Sequence, residues 1–115
     1  MPAPSVVAIL PYLVRAMTEL VRERWPVLAA QIDAALRSTG EPALADGWGE
    51  AHVVELCRCG DDFCQSFYTE APPVGAYGPG HRNITLDAPW PGYLILDVVG
   101  ERIVYVEVLY RATLD

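Results

Sequence analysis

Three cysteines fall within one short stretch, Cys57-Arg-Cys59-Gly-Asp-Asp-Phe-Cys64, and the chain has no others. If Gly60–Phe63 forms a turn, Cys59 stands across from Cys64, with Cys57 two residues back on the same face. Three convergent thiols have three chemical uses. As thiolates they are soft ligands, and zinc takes four N or S donors in a tetrahedron. His81, from the long loop that follows, is the candidate fourth ligand. His52 lies five residues before Cys57, so a regular strand turns it to the other face. Alternatively, Cys59 and Cys64 form a disulfide or a redox pair. The plainest reading makes all three small buried hydrophobes, since cysteine is among the most buried residue types. Familiar structural zinc sites use two CxxC-like pairs, so CxCx4C admits zinc without selecting it.

The acidic residues give a weaker signal. Asp61, Asp62, Glu70 and Asp87 are candidates for contact with a cationic partner, although paired Asp in a turn also serves backbone capping. Asp97 and Glu107 lie inside otherwise apolar strands and read as solvent-facing. The segment Gly75–Gly80 lacks the lysine and the following helix of a phosphate loop. A Gly-x-Ser-x-Gly elbow is absent as well, and Ser66 has no evident base beside it. The chain therefore reads as non-enzymatic.

Composition sets the class. The chain has 115 residues, 52% of them hydrophobic, which fits one domain with its own core. It carries 15 acidic against 8 basic residues, all of the latter Arg, for a net charge of −7. Such a charge repels nucleic-acid phosphates. Val6–Val14 is apolar but far short of the roughly 20 residues that span a bilayer. It has no basic lead-in of the signal-peptide kind. The expectation is a cytoplasmic protein with no nucleic-acid or membrane partner and reduced thiols.

The elements that must position the cysteines follow from periodicity. Residues 1–40 read as helical. Val6, Ile9, Leu10, Leu13, Met17, Leu20 and Val21 make one stripe, and Leu28, Ile32, Ala35 and Leu36 a second. Trp25-Pro26 separates the two helices, because proline pushes its predecessor out of helical geometry. Gly40 stops the second helix. Residues 50–112 read as sheet: Ala51–Cys59, Phe63–Thr69, Arg82–Asp87, Tyr93–Val99 and Arg102–Tyr110, the last two joined at Gly100-Glu101. The predicted fold is a single α+β domain over residues 1–115, two N-terminal helices packed on a four- to five-stranded antiparallel meander.

Simple alternation across the last hairpin puts Leu94, Leu96, Val98, Ile103 and Tyr105 on one face. Tyr93, Ile95, Val104, Val106 and Val108 fall on the other. Two apolar faces predict a cover on both sides, and so a homodimer or hetero-complex through residues 93–110.

The stretch CRCGDDFCQSFY, with the ending GYLILDVVGERIVYVEVLYR, resembles small uncharacterised actinobacterial proteins that share this cysteine hairpin. That family has no established activity, so the resemblance implies a bacterial origin and the final hairpin, and transfers no catalytic residue. Two functional expectations follow. One is an interaction protein of the toxin-neutralising kind with a cationic partner. The other is a metal- or redox-responsive accessory protein acting through Cys57, Cys59 and Cys64.

Overall fold

The computed structural model describes residues 18–115. Val6, Ile9, Leu10, Leu13 and Met17 of the first expected stripe lie outside them. The described part is α+β, with helices preceding an antiparallel sheet. Among the described residues, no helix is long and apolar enough to cross a membrane.

Helix α1 is a single turn, Val21–Arg24, and α2 spans Pro26–Ser38. Pro26 opens α2, where a missing N–H costs nothing. Trp25 supplies no side-chain cap at that end. The Asp115 carboxylate does so instead, accepting from the Val27 and Leu28 amides at 3.2 and 2.8 Å. Leu28, Ala29, Ile32 and Leu36 form the buried face. At the far end Gly40 takes φ 84°, the left-handed stop that glycine adopts freely.

A third helix, α3 at Pro42–Trp48, follows at once. It repeats the signature of α2, a proline in the first turn after a non-helical residue. The sequence reading left this stretch without an element. Trp48 ties it to α2 through a buried bond from Nε1 to the Ala29 carbonyl, 3.0 Å.

Five strands follow: β1 Glu55–Leu56, β2 Phe67–Tyr68, β3 His81–Leu86, β4 Tyr93–Val99 and β5 Arg102–Leu109. The first two are much shorter than their apolar runs suggest. Their order across the sheet is β1-β2-β5-β4-β3, all neighbours antiparallel. This departs from a meander at one place. After β2 the chain crosses to the opposite edge through the Pro/Gly-rich segment 71–80, and β5 returns to fill the gap. Arg82 fastens that far edge to the start of α3, meeting the Glu41 carboxylate at 2.9 and 3.3 Å.

The last hairpin corrects the expectation of two apolar faces. Its ladder pairs Val98 with Ile103 but Asp97 with Tyr105, leaving Val104 as the extra residue of a β-bulge. One inserted residue reverses the parity of everything beyond it. Val106 and Val108 therefore join Leu94, Leu96, Val98 and Ile103 in one buried cluster with Phe67 and the helices. Tyr105 moves to the other face, with Tyr93, Ile95, Asp97 and Glu107. The chain's own helices thus cover one face of residues 93–110, and Val106 and Val108 lie on it.

Candidate metal centre

Ten residues, 57–66, connect β1 to β2 at the rim of the sheet. Their two halves are held differently. Cys57 extends the β1–β2 ladder by one bond, its N–H to the Ser66 carbonyl at 2.9 Å. Gly60, at φ 78°, and the Cys64 N–H to Asp61 carbonyl bond, 3.1 Å, fold the tip back. The returning half is pinned to β5. Cys64 bridges Leu109, Gln65 N–H reaches the Val108 carbonyl at 2.9 Å, and Tyr110 N–H reaches that of Phe63 at 2.8 Å.

This brings the three sulfurs within 4.8 Å of one another. Cys59 is exposed, Cys57 and Cys64 half-buried, and all three are free thiols. None is a core residue, which corrects the reading of the three as buried hydrophobes. Around a zinc ion with 2.3 Å bonds, tetrahedral sulfurs stand about 3.8 Å apart. The cluster needs to draw in by roughly one ångström to reach that geometry.

The surroundings favour charge on one sulfur. The Tyr105 hydroxyl hydrogen-bonds Cys57 and holds its pKa below the ordinary thiol value, against the opposing effect of burial. At Cys59 the Asp61 amide favours the thiolate. Hydrogen bonding with Cys64 and Cys57, desolvation and the neighbouring Cys57 charge outweigh it, and the thiol is pushed up to about 11. Burial, then the bond to Cys57, raises Tyr105 itself, so its hydroxyl stays a donor at neutral pH. Behind it lies Ser66, which is buried. Its Oγ accepts from the Val108 N–H at 3.0 Å and from the Cys64 thiol at 3.2 Å.

The other residues singled out by the sequence lie elsewhere. His81 sits in β3, separated from β2 by two strands, or about 14 Å of sheet. Its Nε2 is 2.6 Å from Asp97 Oδ1, and its ring lies 4.8 Å from that of Tyr77. Asn83 donates to the same Asp97 oxygen at 2.6 Å, so that carboxylate is engaged by neighbours, not simply solvated. Neither His81 nor His52 joins the sulfurs; His52 Nδ1 faces Thr18 at 3.1–3.2 Å. Glu70 pairs with Arg102 at 2.8 Å, next to a cleft of about 630 Å³ bordered by Trp48, Ala51, His52 and Val54. That cleft opens at the opposite end of the sheet from the thiols. Asp61, Asp62 and Asp87 are exposed at the thiol end.

No protein-family model, curated protein or solved structure matches the chain.

The donor set thus speaks for itself. Among the described residues, three sulfurs and no further His, Asp or Glu converge, a donor set that could hold a thiophilic ion. Tyr105 and Ser66 are the parts that sequence reasoning missed. No motif marks them, and alternation counted through the bulge turns Tyr105 to the wrong face. Partners behind a ligand typically contribute ten- to hundredfold in metal affinity. Tyr105→Phe keeps the ring that packs 4.4 Å from Tyr68 and loses only the hydroxyl. Were zinc held on these sulfurs, the variant should bind it more weakly by that factor, measured by competition with a chromophoric chelator. Its unfolding midpoint without metal should change little.

Proposed function

We propose that the protein is a thiol-based metal-binding accessory protein. It holds one zinc-class ion on Cys57, Cys59 and Cys64 and leaves the fourth position to water or to a ligand from another molecule. The observation behind this reading is the mutual approach of three sulfurs within 4.8 Å, none of them packed into the core. A disulfide needs two sulfurs and leaves the third without a role. Thiolate donors suit zinc and other thiophilic ions over hard cations. An open position with one exposed ligand suits capture and release better than a permanent structural site, which closes with four protein donors. Such a site needs a reducing compartment, in keeping with the cytoplasmic expectation.

Purification of the full chain under reducing conditions, without added metal, followed by elemental analysis and zinc titration, tests the reading. One ion per chain, with ligand protons released on binding, is the expected result. Fully reduced protein that binds no thiophilic ion at micromolar concentration overturns it. So does loss of two thiols to a disulfide with no metal uptake at any stage.

A further inference from the structure

The end of the sheet where β4 begins and β5 stops presents three aromatic rings in a row. Phe63 and Tyr110 stack with centroids 5.0 Å apart and planes inclined by 17°. Tyr93 continues the row, its centroid 6.3 Å from that of Tyr110. All three are exposed, at 42%, 54% and 56% of their surface. Core packing therefore accounts for none of them.

The backbone at the middle ring of the row is unusual. Tyr110 has φ 62°, the only positive φ among the described non-glycine residues. A bulky residue there is a genuine outlier, and such outliers cluster at binding sites. This backbone sets the Tyr110 ring against Phe63.

Three exposed carboxylates lie at the same end of the sheet, as does Arg111. Asp61 and Asp62 immediately precede Phe63, and Asp87 follows β3 at the same end of the sheet. We propose that this row is a docking surface for an arginine-bearing segment of a protein partner. A guanidinium is planar, weakly hydrated and able to lie on a ring face while its N–H groups meet carboxylates. The fold already makes such contacts internally. Arg111 lies 4.8 Å over the Trp90 ring and Arg24 4.6 Å over that of Trp25. Charge complementarity favours the same partner, since the chain carries a net −7. A nucleic acid would meet that charge as repulsion. The surface borders the thiols but does not need a metal on them.

The test uses the full metal-free chain, labelled for amide NMR, and a capped (Gly-Arg)₄ peptide with (Gly-Lys)₄ and (Gly-citrulline)₄ counterparts. The expected result is saturable shifts confined to residues 61–64, 87, 93 and 109–111. Lysine and citrulline peptides should bind at least tenfold more weakly. Tyr110→Gly should keep the fold, because glycine accepts φ 62° without strain, and should weaken arginine-peptide binding at least tenfold. Tyr93→Ala, which leaves Tyr110 in place, should weaken it severalfold. Equal binding of lysine and arginine peptides, with shifts spread to Glu70 and Glu101, reduces the effect to nonspecific charge attraction and overturns the proposal. Affinity unchanged in both tyrosine variants does the same. Concentration-dependent shifts at these residues without peptide would assign the surface to a second copy, and also overturn it.

Discussion

Cys64→Ser should lower zinc affinity by at least a hundredfold, about 2.8 kcal/mol from the relation of one decade to 1.4 kcal/mol. The loss should exceed that of Tyr105→Phe, because a ligand is removed and not its support. Cys64 is the most revealing of the three, since its strand position is fixed by the bridge to Leu109 independently of any metal. A serine there keeps the backbone bonds and a polar atom beside Ser66. The apo variant should therefore unfold near the midpoint of the apo parent. The parent, in contrast, should gain about 4 kcal/mol when free zinc stands a thousandfold above its dissociation constant. Thermal scans of both proteins with zinc and with chelator make the comparison. A parent that unfolds outright in chelator would mean the ion also builds the fold. The buried cluster argues against that, for it joins helices and sheet without any cysteine.

Gly92→Ala should be the most damaging of the glycine-to-alanine changes. A Cβ on Gly92 would collide with the Leu109 carbonyl oxygen and stand 2.9 Å from Cδ1 and Nε1 of Trp90. Those groups are already joined, with the indole N–H donating to that carbonyl at 2.9 Å. Neither can retreat without breaking the bond or shifting the end of β5. Overpacking typically costs 1–3 kcal/mol, and contact with backbone puts this case at about 3 kcal/mol or more. In a domain of this size that corresponds to a melting temperature lower by roughly 10 °C. Gly47→Ala is the matched control. It sits within α3 with nothing inside 4 Å of the added methyl, and should stabilise by about 0.5–1 kcal/mol through helix propensity. Denaturant midpoints for the two variants should move in opposite directions.

The contrast between these glycines shows where sequence reasoning works and where it fails. Gly40 and Gly100 announce a helix stop and a strand turn by local chemistry alone, and both appear where expected. The same holds for α2 after Trp25-Pro26 and for Tyr93–Val99, whose limits match the reading. Gly92 carries no local signal, because its need is set by Leu109 and Trp90 folding over it. Val104 is the more consequential case. A bulge residue within Ile103-Val104-Tyr105-Val106 looks like any other β-branched position, yet it decides which side chains face the helices. The proximity of Cys57, Cys59 and Cys64 was legible, since a turn between them follows from Gly60 and the paired Asp. His81 as their companion was not, because strand order, which no local pattern encodes, places β3 at the far edge.

That strand order also sets a sequence of events in time. The contacts that pin the returning half of the thiol rim, from Ser66 with Val108 to Cys64 with Leu109, are made with the last strand; the first of these spans 42 residues. At synthesis rates of 5–20 residues per second, β5 emerges roughly two to eight seconds after the cysteines. During that interval the helices can begin to associate, but Cys64 lacks the strand that fixes its place. On the proposed metal-binding reading, loading would follow synthesis, and the newborn chain passes through a window in which its thiols are open to oxidation or to the wrong ion.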